Sequence, residues 1–306
     1  MKSRPLSQLL PRRLKRGVQQ LLKSYGYGRS VGDRTTSTVD FRGLPVEPAE
    51  AVQRGNGFSV LVDVPLEYCR SFGPVAFGCT RDSSNPYVQT AIQLMDRRVS
   101  SYNGSLLELY YSVFQPINIA EVAGLDASVD QPVLNASPLW FEFPWRGTTG
   151  PAMEAKRIAI AQREARQCGF EVSGSRDWCF VGPVTAEKGH LEYARLNKLL
   201  SSIRTDGYSV EQQANTPNHI QGQVIKSSDR FAVVILSGHH RVAVMSALGY
   251  STVPICIHAK LARREHASTW PGVKDGSFTL EQSLAIFDRV IHGTQPSVGA
   301  LVWPPS

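Results

Sequence analysis

Apolar and polar positions along the chain mark a series of short, well-bounded elements. Residues 58–64 (FSVLVDV) read as a strand closed by Pro65. Residues 86–98 open on Asn85–Pro86, a capping residue followed by one suited to the first helical position. Over 105–114, Leu106, Leu109, Tyr110 and Val113 share one helical face, with Ser105 as N-cap, Glu108 as its capping-box partner and Pro116 ending the run. Pro151 starts a helix that reaches about Cys168, where Gly169 takes the C-terminal cap position. Residues 191–206 form an amphipathic helix with Leu196, Leu199, Leu200 and Ile203 on one face, stopped by Gly207.

The last third is the most regular. Residues 220–226 and 231–236 read as two strands joined by Ser227-Ser228-Asp229-Arg230, a hairpin signal. The second strand runs directly into Ser237-Gly238-His239-His240-Arg241, then a helix from about His239 to Leu248, Gly249, and a further strand over 253–258. A loop with Trp270-Pro271 precedes a helix from about Thr279, with a Thr279/Gln282 capping box and Leu280, Leu284, Phe287 and Ile291 on one face. Arg263 and Arg264 read as a solvated pair.

Two stretches lack such periodicity. Residues 24–57, rich in Gly, Ser, Thr and Pro, look like loop. Residues 130–150 look like an irregular connection, and their aromatic cluster (Trp140, Phe141, Phe143, Trp145) reads as a loop packed on a core in preference to a binding platform. The pattern gives an α+β (mixed α/β) chain with a basic tail over 1–34, a mixed N-terminal region over 35–150, a connecting helix over 151–176, a C-terminal domain over 177–292 and a tail over 293–306. With 306 residues, 42% hydrophobic and 19% charged, a sizeable core is expected and a disordered, collagen-like or coiled-coil protein is not. No apolar run approaches the ~18–20 residues of a membrane span.

The net charge of +7 is concentrated at one end. Residues 1–34 hold nine basic side chains and one acid, a balance of +8, so the rest of the chain sums to −1. This weighs against a duplex-binding face on the body, because such faces draw on many Lys/Arg–phosphate contacts. It leaves open a tail that touches an acidic surface, an anionic membrane or a nucleic acid. Residues 12–23 place Leu14, Val18, Leu21 and Leu22 on one face of a short basic helix, though Gly17 weakens it and a solvated arm is the plainer reading. Five cysteines at wide spacings, with no C-x-x-C, suggest neither a disulfide framework nor a zinc site. The N-terminus lacks the apolar core of a secretory signal. A cytoplasmic setting is expected, peripheral to a membrane if residues 1–34 bind one.

The strongest chemical constellation is Ser237-Gly238-His239-His240-Arg241. A strand, a glycine turn and a helix start leave backbone N–H groups free to hold an anion, and the helix dipole favours one there. Gly238 admits close approach, Ser237 can cap, and Arg241 can fork onto phosphate oxygens. Adjacent histidines point in different directions, so at most one ring is expected to face a ligand.

Residues 236–255 (LSGHHRVAVMSALGYSTVPI) resemble the second sequence box of the ParB/sulfiredoxin superfamily, and 195–208 (RLNKLLSSIRTDGY) resemble its first, over about residues 177–262. The resemblance implies a nucleotide site in which His240 and Arg241 hold ATP phosphates, with Arg195, Lys198 and Ser202 contributing from the first-box helix. His239 stands where sulfiredoxins carry their catalytic cysteine, so that chemistry is not expected. Gly238-His239-His240-Arg241 is most similar to the box of ParB-like free serine kinases, with Ser237 in place of their acid. Those kinases carry a glutamate base near the first box, for which Glu192 and Glu187 are both candidates; His239 is the third candidate catalytic residue. The leading expectation is a phosphotransferase or NTPase that uses ATP or another nucleotide, with Mg2+ as a candidate ion, on a small-molecule acceptor. The alternative is a non-catalytic sensor of a nucleotide or anion, and the third reading a ParB-like DNA-binding protein or nuclease.

Overall fold

The computed structural model describes residues 38–126, 131–169, 177–210, 219–258, 261–296 and Trp303. The basic tail and its amphipathic helix lie outside the described residues. Among the described residues, eight strands form one mixed sheet: β1 (Thr38–Asp40), β2 (Ser59–Pro65), β3 (Cys69–Ser71), β4 (Phe77–Gly78), β5 (Gln221–Lys226), β6 (Phe231–Ser237), β7 (Thr252–Ile257) and β8 (Ala262–Arg263). Their order is β1-β2-β7-β5-β6-β3-β4, with β8 continuing beside β5 beyond the end of β7. The centres of β2, β5 and β6 are buried runs, as expected of strands covered on both faces.

The sheet crosses the boundary between the N-terminal and C-terminal regions read from the sequence. β2 pairs antiparallel with β7 from Val60↔Ile257 to Pro65↔Thr252, and β3 pairs parallel with β6 through Cys69↔Val233 and Arg70↔Val234. One hydrophobic core likewise runs from Phe41 through Tyr110 and Val233 to Phe287. Residues 38–150 therefore build half of the sheet that carries the glycine turn.

The helices are α1 (Pro48–Arg54), α2 (Pro86–Met95), α3 (Leu106–Val113), α4 (Ile119–Ala123), α5 (Pro151–Cys168), α6 (Ala186–Asp206), α7 (His239–Ala247), α8 (Pro271–Lys274) and α9 (Leu280–His292). α2, α6 and α7 pack against one another, and Val242–Ala247 of α7 are all buried. Several sequence expectations are corrected. The stretch 24–57 contains β1 and α1, the latter started by Pro48 without a polar cap. Ser105 accepts from Glu108 N, but the Glu108 carboxylate reaches Gly104 N at 2.7 Å instead of closing a box on Ser105. α6 begins five residues earlier than its apolar face suggests, capped by Thr185 and seated on Tyr102 at Gly189. On α9 the capping box forms, but Leu280 is exposed and the buried face is Ser283, Ile286, Phe287, Val290 and Ile291. The aromatic loop does pack down: Phe141, Phe143 and Trp145 are buried, and Trp140 donates to Glu154 at 2.8 Å. Arg263 and Arg264 pair with Glu265 and Asp288.

Candidate functional site

β6 enters the turn through an irregularity in its pairing with β5: Gln221 faces Ser237 while Gly222 faces Ile235, which leaves Leu236 as the extra residue. Such a bulge bends the strand end and re-aims the residues after it. Gly238 then adopts φ 91°, and a Cβ there would sit 3.1 Å from Ile220 Cα, backbone that cannot step aside. α7 starts with no side-chain cap. Among the described residues, every other α-helix has either a side-chain cap (Asn85, Ser105, Asn118, Thr185, Thr279) or a proline at its start (Pro48, Pro151, Pro271). Ser237 through Arg241 are all partly exposed, so this uncapped helix start is open to solvent.

The two histidines turn inward and diverge. His239 Nδ1 lies 2.8 Å from Ser71 Oγ at the end of β3, and the ring meets Phe180 edge-on. Burial, with His240 adding to it, pushes His239 down to about 3, so this ring is neutral at pH 7 and brings no positive charge to an anion. Its Nε2 is buried without a hydrogen-bond partner among the described residues. His240 stacks on Tyr87 at 4.4 Å and puts Nε2 at 2.6 Å from Glu192 Oε2. Arg241 lies beside Tyr208; burial lowers its guanidinium, and Tyr208 offsets this in part. Tyr208 Oη, also buried, lies at the Ile220 backbone, and buried His219 Nδ1 has no hydrogen-bond partner among the described residues.

Glu192, fully buried on α6, is the hub beneath the turn. Its Oε1 is 2.6 Å from Lys188 Nζ and 2.9 Å from Arg195 Nη1, and its Oε2 accepts from Tyr87 Oη at 2.7 Å beside His240. Burial alone would raise its carboxyl, but His240, Lys188 and Arg195 outweigh that and hold it well below the usual carboxylate range. Lys188 and Arg195 are also gripped by Glu164 of α5. Glu192 thus has both oxygens engaged, whereas Glu187 is exposed in the first turn of α6. Lys198 and Ser202 are exposed too; three and seven residues beyond Arg195, they continue its face of the helix.

The structure therefore brings Glu192, Arg195 and His240 together, sets His239 against Ser71, and leaves Glu187, Lys198 and Ser202 at the surface. Sequence reasoning missed Ser71, Tyr87, Glu164, Lys188, Phe180 and Tyr208. Of these, Lys188 was within reach, since it is four residues before Glu192 on one helix. A cleft of about 310 Å³, lined by Gln115, Ile117, Pro138, Glu154 and Trp178 among others, involves none of the turn residues. No group of three or more His, Cys, Asp or Glu among the described residues is placed to hold a metal ion. Comparison with protein-family models, with curated proteins and with solved structures finds no match to this chain.

Proposed function

We propose that the chain binds a nucleotide through its phosphates at the start of α7, in the manner of the ParB/sulfiredoxin-like proteins its boxes resemble, and uses it as a phosphotransferase or NTPase on a small molecule. The observation that carries this reading is the uncapped, solvent-open helix start behind Gly238. Free amide groups and the helix dipole favour an anion there. Arg241 supplies a fixed positive charge in the first turn, and the Arg195–Lys198–Ser202 face of α6 supplies cationic and hydroxyl groups alongside. The inward histidines contribute by fixing the turn: His240 is tied to Glu192 and His239 to Ser71.

A non-catalytic sensor is the second reading, and the geometry of Glu192 favours it. A general base needs an oxygen within reach of the proton it takes. Glu192 spends both of its oxygens on Lys188, Arg195, Tyr87 and His240. Under the enzyme reading the exposed Glu187 is the stronger base candidate. Calorimetry of wild type and Arg241→Ala against ATP, ADP, CTP and GTP, with and without Mg2+, tests the site. Loss of that charge-assisted contact should cost about 1.5–3 kcal/mol, roughly ten- to a hundredfold in affinity. A wild type that binds none of the four rejects the nucleotide reading. Tight binding without phosphate release or transfer, and with Glu187→Gln indistinguishable from wild type, selects the sensor.

A further inference from the structure

Two carboxylates share the same two cations beneath the proposed phosphate site. Lys188 Nζ and Arg195 Nη1 each contact both Glu192 and Glu164. The carboxylates differ in what holds them. The Glu192 side chain is 1% exposed and is further fixed by Tyr87 and His240. The Glu164 side chain is 19% exposed and projects from α5, a helix on which Ala165 is the one buried residue. Arg195 is the most open of the cations, at 36%.

We infer that Glu164 is a built-in competitor for the anion: its carboxylate holds Arg195 and Lys188 until a phosphate displaces it. The local charge balance favours such an exchange. Lys188 and Arg195 facing Glu164 and Glu192 form a neutral set, so these two cations add net positive charge to that of Arg241 only when one carboxylate withdraws. Glu192 cannot, because its withdrawal would leave a buried charge unpaired. Glu164 can swing into water from a surface helix, which makes it the displaceable partner. The Glu164 contact thereby sets the affinity threshold of the site and couples ligand binding to the seating of the C-terminal half of α5.

This inference rests on the nucleotide reading, and the test separates the two. Affinities for ATP and for inorganic pyrophosphate, which has phosphates but no base, are measured by calorimetry on the full chain as wild type, Glu164→Gln, Glu164→Asp and Arg241→Ala. Glu164→Gln removes the competing charge and should tighten both ligands roughly tenfold. Glu164→Asp keeps the charge but is too short to span both cations, and should tighten them less. Melting temperatures check that each variant is folded; a merely structural Glu164 would give weaker binding in both variants, the opposite sign. Wild-type binding with unchanged or weakened affinity in folded Glu164→Gln overturns the competitor while leaving the nucleotide reading intact. Binding that emerges only in Glu164→Gln supports it. If neither wild type nor Glu164→Gln binds either ligand, both proposals fall together.

Discussion

Two of the molecule's buried charges are satisfied in two different ways. Arg289 of α9 is held by backbone carbonyls. Its guanidinium donates to the carbonyls of Ala123, Pro74, Val75 and Thr294 at 2.6–3.3 Å, and burial lowers it to about 9. Glu192 is neutralised instead by side chains, with Lys188, Arg195 and His240 around it and a second carboxylate, Glu164, competing for two of them. Backbone carbonyls are fixed partners, so Arg289 is a rivet: it locks the 73–76 turn, where Ala76 and neighbouring Phe72 hold positive φ, against α4 and the end of α9. Side-chain partners can rotate and exchange. A charge meant to respond to a ligand is better surrounded by groups that can let go, and only the Glu192 cluster lies under the candidate site.

Arg289→Met probes this contrast most severely, because it leaves the carbonyls of buried Ala123, Pro74 and Val75 short of a donor. We expect a loss of about 3–5 kcal/mol in urea unfolding, with no recovery in Arg289→Lys, because a point ammonium cannot fork onto that many acceptors. Recovery by lysine would show that the fork geometry is dispensable. Next in size is Glu192→Gln, which leaves Glu164 as the carboxylate shared by Lys188 and Arg195 and frees His240 from its carboxylate. A loss of about 3 kcal/mol is expected. Unlike the Arg289 variants, this one should lose stability in a way that depends on Glu164, so the double variant Glu164→Gln/Glu192→Gln should be non-additive; strictly additive losses would dissolve the cluster as a unit.

A pH dependence is the mildest consequence. His239 titrates near 3 in the folded protein and near 6.5 when unfolded, so only the unfolded state takes up its proton between these values. Its contribution is therefore full above about pH 6.5 and is lost as pH falls, on the order of 2 kcal/mol by pH 5. Glu192, also lowered on folding, adds a further loss below the normal carboxylate range. His239→Asn should flatten the arm between pH 6.5 and 5 and leave the lower arm in place. An unchanged upper arm would remove His239 from the neutral, buried role given to it.

Much of the fold was legible because local chemistry and tertiary context agreed. Asn85–Pro86, Thr279–Gln282 and Pro151–Gly169 mark their helices by caps and breakers that act within one turn, and the hairpin at 227–230 does the same for β5 and β6. What escaped depended on distant partners. The start of α6 carries no apolar stripe; Lys188 and Gly189 are buried there only because Glu164 and Tyr102 meet them. On α9 the buried stripe takes in the small polar Ser283 and leaves Leu280 exposed, which an apolar count alone does not anticipate. The candidate site divides likewise. Gly238 and the helix start could be read from adjacent residues. The inward turn of both histidines could not, since Ser71 and Tyr87 arrive from a part of the chain with no matching signal.

The pairing of β2 with β7 also sets a schedule for synthesis. Val60 has its partner in Ile257, 197 residues later in the chain. At ~5–20 residues per second a ribosome takes on the order of 10–40 s to cover that gap. Throughout it, the apolar Val60–Val64 segment is made but lacks β7 to pair with. The same delay applies to Ser71, which waits for His239. A strand left without its neighbour for so long is a template for pairing with other chains. α1, made just before β2 and packed against it in the folded protein, is the element at hand to cover it in the meantime. Fragments that stop before residue 252 should collect as aggregates, however well their individual helices form.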